Sequence, residues 1–324
     1  MTAKKSIRCI MALFLALLIA PIGAPVTAQA ADYPSKPIEW VIWASPGGGA
    51  DIFTRSLIRV FEPLTGATFV PVNKSGGGGA VGMAYTASKP ADGYTLLSVT
   101  TNYVITPTLG KSPKGPKDFE PIARLAMETS CLAVKADSPW QTFEDFVKYA
   151  KEKGSTSIGI FGIGTQDHVG GSVLAKAADI KVRWVPFEGG GDGNAALLGG
   201  HIDAMINNPS ELAEQLASGQ MRLLGVFSDE RWPFNPDVPS FKEQGYDAVI
   251  WQWRGIVAPK GTPETVLDYL DDICQKAIET EAFAAYLKDN ELLAAFLDKD
   301  GFKKFIDEQL ELYETQLTEL GLKK

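Results

Sequence analysis

Three glycine-rich loops, each set between an apolar run of strand length and a helical pattern, constrain this chain more than any other feature. They are Ser45-Pro46-Gly47-Gly48-Gly49-Ala50-Asp51, Gly76-Gly77-Gly78-Gly79-Ala80 and Glu188-Gly189-Gly190-Gly191-Asp192. A strand, a tight glycine turn and a helix in succession form the repeating unit of α/β folds. Glycine lets the backbone approach a ligand closely, and the free N–H groups of a helix start attract an anion without any charged side chain. The loops therefore point to a small anion.

The N-terminus sets the compartment. Lys4, Lys5 and Arg8 precede an apolar stretch over 10–20, and Ala28-Gln29-Ala30 has the A-x-A form of a cleavage site. The expectation is a signal peptide over 1–30, cleaved before Ala31, and a periplasmic mature protein. Pro21, Gly23 and Pro25 end the apolar stretch short of the roughly 20 residues that a membrane span needs. Cys9 has no lipobox after it, and no adjacent arginine pair suggests the twin-arginine route. The chain carries a formal net charge of −8, and the leader holds bases but no acid, so the mature part is more acidic still. An acidic chain without a basic run argues against nucleic acid or anionic membrane as partners. Its length suits two domains of roughly 150 residues each. Cys131 and Cys274 lie in apolar segments, which leaves open a disulfide or two buried free thiols.

Strands alternate with helices along the mature chain. The pattern predicts strands at 38–44, 68–72 and 94–100, with helices after the first loop and over 80–88. In the middle it predicts helices at 142–153, 168–178, 194–198 and 210–217, and strands at 157–161, 182–187, 202–207 and 222–227. The tail from 263 reads as nearly all helix. Strand-rich joints at 119–135 and 248–259 bracket the middle block. The predicted architecture is a discontinuous domain 1 over 31–130 and 250–324, with domain 2 over 131–249 inserted and two strands crossing between them.

Five segments then carry a family resemblance, in register along essentially the whole mature chain. They are Ser45 to Asp51, Asp92-Gly93-Tyr94-Thr95-Leu96-Leu97, Val185-Pro186-Phe187-Glu188-Gly189, Leu197-Leu198-Gly199-Gly200-His201-Ile202-Asp203 and Ala258-Pro259-Lys260-Gly261-Thr262-Pro263. Together they resemble the Bug receptors, the periplasmic solute-binding subunits of tripartite tricarboxylate transporters. The resemblance implies a two-domain periplasmic binding protein fold whose cleft closes on a small organic carboxylate, held by loop amides, hydroxyl side chains and ordered waters. It also implies a monomer without cofactor, served by large and small membrane permease subunits. Ile160, Phe161, Gln166 and Asp167 stand where the family mostly has small or hydroxyl residues. Glu188 replaces a common lysine, Thr106 an asparagine, and Trp43-Ala44 a proline-aromatic pair. These departures bear on the identity of the ligand rather than on the class.

The expected ligand-binding set follows the loops: Trp43, Ser45, Gly48, Gly49 and Asp51 from the first, Gly79 and Ala80 from the second, and Thr101 and Asn102 from a strand end. From the other domain come Phe161, Ile163, Gly164, Thr165, Gln166 and His168, with Gly189, Gly190 and Asn207. Each has a plainer reading beside it. Asp51 is explained by a helix dipole and an i,i+4 pair with Arg55, and a ligand role would need a hydroxyl, amine or water between it and an anion. Thr101, Asn102, Asn207 and Asn208 suit capped turns, and His168 suits a hydrogen bond within its own domain. Thr165 is the better donor to a carboxylate, since its hydroxyl carries no charge. Trp43, Phe161 and Ile163 would give the cleft an apolar wall, which favours an aromatic or extended aliphatic acid over a citrate-like one.

Enzyme readings fit less well. Gly77-Gly78-Gly79-Ala80-Val81-Gly82 satisfies G-x-G-x-x-G, but a run of four glycines does so cheaply, and nicotinamide cofactors are scarce outside the cytoplasm. No phosphate-binding ATPase loop and no nucleophile elbow occur. With only His168 and His201 in the chain, a triad or histidine-rich metal site has few candidates. The remaining alternative is a periplasmic sensor subunit that closes on the same ligand and docks to a signalling kinase.

Overall fold

The apolar run Ile38–Ile42 forms a buried interior strand, β1, with Trp40, Val41 and Ile42 fully enclosed. In this computed structural model the described residues are 33–187 and 190–323, so the expected leader, Glu188 and Gly189 lie outside them. After β1 the first glycine loop leads into α1 (Gly49–Thr65), which presents Phe53, Leu57 and Phe61 to the sheet and stops at left-handed Gly66. Then follow β2 (Phe69–Asn73), α2 (Ala80–Ala87), β3 (Thr95–Thr100), α3 (Asn102–Thr108) and β4 (Phe119–Thr129).

A single residue, Ser130, separates β4 from β5 (Cys131–Lys135), and with it the chain enters a second sheet. Thr142 opens α4 (Phe143–Lys153) as a capping box with Asp145. The alternation continues through β6 (Thr156–Ile160), α5 (Gln166–Ala177), β7 (Val182–Pro186), α6 (Gly190–Leu198), β8 (Ala204–Asn207), α7 (Ala213–Ala217) and β9 (Met221–Val226). An irregular stretch over 227–250 returns the chain to the first sheet through β10 (Trp251–Pro259), then α8 (Glu264–Ile278), α9 (Glu281–Asp289), β11 (Leu293–Leu297) and α10 (Lys299–Glu319).

The first sheet has the order β11-β4-β10-β3-β1-β2 and the second β7-β6-β8-β5-β9. In each, parallel strands (β2, β1, β3 and β7, β6, β8) are joined to antiparallel ones. Of the parallel strands, β1, β3, β6 and β8 are buried on both faces, which is why β1 reads as a near-continuous apolar run, whereas the edge strands β2 and β7 are partly exposed. The architecture is two α/β lobes with two crossings, as the sequence predicts. Phe302, Ile306, Tyr313 and Leu317 of α10 close the core of the first lobe over Trp253, and Val169 of α5 joins that cluster from the second. Burial of one such side chain contributes about 1.5–3 kcal/mol. Cys131 and Cys274 are both buried and free.

Two elements differ from expectation. The tail is not nearly all helix: Leu293–Leu297 forms edge strand β11 on β4. Its sequence, LAAFL, holds no β-branched residue and reads as helix, but Glu291 at φ 51° turns the chain out of α9 and Arg124 Nε fixes the new strand at Ala295 O (2.9 Å). The second difference is α3, where Val104, Ile105, Thr106 and Pro107 are poor helix formers. Burial of Tyr103, Val104 and Ile105 outweighs that propensity.

Candidate functional site

The first glycine loop is shaped by Asp51. Its Oδ2 accepts the Gly47 N–H at 2.9 Å, and its Oδ1 accepts Arg55 Nε and Asn73 Nδ2, both at 2.9 Å. Burial alone would raise its pKa, but the bonds from Arg55, Gly47 and Asn73 outweigh that and lower it. Asp51 is thus occupied in holding the loop. Ser45 is exposed and its carbonyl accepts the Gly48 N–H, Gly48 caps α1, and Gly49 begins it.

In the second loop Gly76, Gly77, Gly78 and Gly79 all have positive φ (134°, 59°, 62° and 98°), a backbone path that side chains resist. That path, pinned by Thr106 Oγ1 on Gly78 O at 2.8 Å, accounts for the glycine run without a dinucleotide. Gly79 lies against the Trp43 ring, and Ala80 begins α2. Trp43, Gly79 and Asn102 come together here, with Met83 and Thr100, around a narrow recess of ≈ 10 Å³, about the room of one water, at the end of β3. The Trp43 indole N–H is buried there without an acceptor. Thr101 turns away: its hydroxyl donates to Trp251 O at 3.2 Å and ties β3 to the crossing strand.

On the second lobe the turn over 161–168 is internally bonded. His168 Nδ1 accepts the Gly164 N–H at 3.1 Å, and Thr165 Oγ1 donates to Gly162 O at 2.9 Å. The proton of Thr165 expected for a ligand is therefore committed to its own loop. Burial, and secondarily Lys111, lowers the His168 pKa to about 4, so the imidazole is neutral. Asp167 is fully enclosed and accepts Ser130 Oγ at 3.1 Å; burial raises its pKa to about 7. Both polar atoms of the buried Gln166 amide lack partners. Phe161 packs on the core of its own lobe, while Ile163 is 49% exposed. Asn207 is engaged by Asn208 N and Asn194 Oδ1, at 2.7 and 3.2 Å. Gly190 begins α6, and Gly189 lies outside the described residues.

Four charged residues here escape the sequence reading. Lys111 Nζ donates to Ile163 O at 2.8 Å and joins the two lobes. Arg254, 5% exposed, donates from Nη2 to Glu128 Oε1, which also accepts Gln252 Nε2 at 2.9 Å. Glu211 is exposed on a second-lobe turn (Pro209–Leu212), yet burial of its carboxyl group followed by Glu128 raises its pKa to about 7. The available signal was a charge inside an apolar strand: Arg254 in Trp251–Pro259 and Glu128 in Phe119–Thr129.

Two α/β lobes with two crossings, and loops that meet at Lys111 and Ile163, define the class: a periplasmic binding protein fold. The sequence profile of the tripartite tricarboxylate transporter family receptor matches residues 57–322, and the chain belongs to that family. It is 32% identical over 282 residues to a UPF0065 protein of the tcbD-tcbE intergenic region of Pseudomonas sp. (strain P51), covering 84% of this chain and 83% of that one. Among solved structures, the periplasmic binding protein BugD superposes with a TM-score of 0.81 at 28% identity, covering 90% of this chain and 100% of its own. An R. palustris protein solved with adipate superposes with a TM-score of 0.82 at 23% identity, covering 90% and 99%.

Proposed function

We propose that this chain is an extracytoplasmic receptor that captures a small organic carboxylate by closure of its lobes and delivers it to a membrane permease of large and small subunits. The observation that carries this reading is the convergence of Trp43, Gly79 and Asn102 at the end of β3, inside a receptor-family fold. The same fold holds adipate in the R. palustris protein. Sheet membership supports 31–130 with 250–324 as one closing domain and 131–249 as the other. The protein acts as a periplasmic monomer after loss of residues 1–30, catalyses nothing, and needs no metal or nucleotide.

The apolar body of the ligand rests on Trp43 with Met83, since Phe161 faces its own core. An aromatic or aliphatic acid is therefore preferred over citrate. A thermal-shift screen of the mature chain against adipate, malate, benzoate and citrate tests this, because ligand binding raises stability by mass action. The expected result is a shift with adipate or benzoate that exceeds the shifts with malate and citrate. Tight NAD or zinc binding in equilibrium dialysis, with no response to any acid, would overturn the receptor reading.

A further inference from the structure

We propose that Arg254 anchors the ligand: its guanidinium, set beneath the first turn of α1, pairs with a carboxylate group of the bound acid. This deepens the receptor reading and rests on it. Arg254 stands opposite Thr100 in the β10–β3 register, at the end of the sheet where β3 gives way to the recess loops. The position a Cβ would take on Gly49 is 3.1 Å from Nη2 and 3.3 Å from Nη1, so the missing side chain is what admits the guanidinium to the helix start.

The electrostatics there are unbalanced. A helix N-terminus carries roughly half a positive charge, and its leading N–H groups have no acceptors within the helix. A full positive charge beside it is a repulsive arrangement. Glu128 compensates through Nη2, but Nε and Nη1 of Arg254 have no partner. Buried charged donors left unpaired are costly, and a carboxylate at this point would engage both the guanidinium and the helix start. The groups that face Arg254 are Glu128 from β4, Tyr286 from α9 and Glu211 from the second lobe, with the Phe53 ring 5.6 Å away. Because Glu211 comes from the opposite lobe, closure completes the site. Glu211 titrates near 7, so a second anion is tolerated while it is protonated. The charged anchor goes beyond the neutral amide and hydroxyl donors that the loops alone supply.

Calorimetric titration with adipate, malate and benzoate tests the assignment, using the wild type, Glu128→Gln, Arg254→Lys and the double variant Glu128→Gln with Arg254→Gln. The double variant replaces an ion pair by a neutral amide pair and so leaves no unpaired buried charge. For the acid the wild type binds best, Glu128→Gln frees the guanidinium and tightens binding, whereas the double variant and Arg254→Lys weaken it by at least about tenfold. A merely structural pair would not give opposite signs. Equal affinity across all four proteins, or weakening by Glu128→Gln as well, overturns the role of Arg254 and leaves the receptor reading standing. A wild type that binds none of the acids overturns both. Should the double variant fail to fold, opposite signs for Glu128→Gln and Arg254→Lys still support the assignment, and like signs overturn it.

Discussion

Polar side chains at this site divide into those that hold loops and those with unused capacity. Asp51 belongs to the first group, with three bonds to its carboxylate. Asp51→Ala should destabilise the fold by about 2 kcal/mol, since hydrogen bonds to a charged group contribute about 1.5–3 kcal/mol each and water replaces part of them. Urea denaturation reads this directly; an unchanged midpoint would mean the loop keeps its shape without the carboxylate. Asp167 makes a different demand. Its folded pKa of about 7 lies above the model-peptide value, so the stability tied to its protonated form is complete below about pH 4 and is lost as pH rises through about 7. Glu211 adds in the same direction. The melting temperature should therefore fall from about pH 5 to about pH 8, and Asp167→Asn, which cannot ionise, should flatten part of that fall. An identical slope in the variant would assign the pH dependence elsewhere.

At the scale of elements, the turn before α5 lies where the lobes touch, through Lys111 on Ile163 O. Gly164 has φ 84°, and a Cβ there would lie 2.6 Å from Leu109 Cδ1 and 2.9 Å from Lys111 Nζ of the first lobe. Gly164→Ala should leave each sheet intact yet hold the lobes apart, with ligand affinity lower by about tenfold or more, because closure must then displace Leu109 and Lys111 or strain the backbone. Unchanged affinity in a titration would show that this contact does not take part in closure. Most strands and helices were legible because their burial is periodic or continuous. β11 and α3 were not, since LAAFL carries helical propensity and Val104-Ile105-Thr106-Pro107 lacks it, and tertiary packing decided both. Of the site, the loops and the Trp43 recess were legible. Hydroxyl and amide partners were not, because sequence cannot tell that Thr165 bonds Gly162 or that Asn207 bonds Asn194. Arg254 and Glu128 met only across the register of β10 on β4.

For the whole molecule, the two sheets are joined at Ser130 and through 227–250, and under the proposed receptor reading these joints are the hinge that brings the lobes around one ligand. The amides and the guanidinium favour an anion locally even though the chain as a whole is acidic, because nearby dipoles and charges outweigh a distant, screened net charge. Closure should appear in solution scattering as a smaller radius of gyration when the bound acid saturates the protein. No compaction at saturation would place the ligand on one lobe alone. The most direct measurement of the central claim is calorimetric titration of the mature chain with adipate, malate, benzoate and citrate. Saturable binding of one molecule per chain is expected for at least one small carboxylate, without added metal or nucleotide. Heats no greater than dilution for every acid would contradict it.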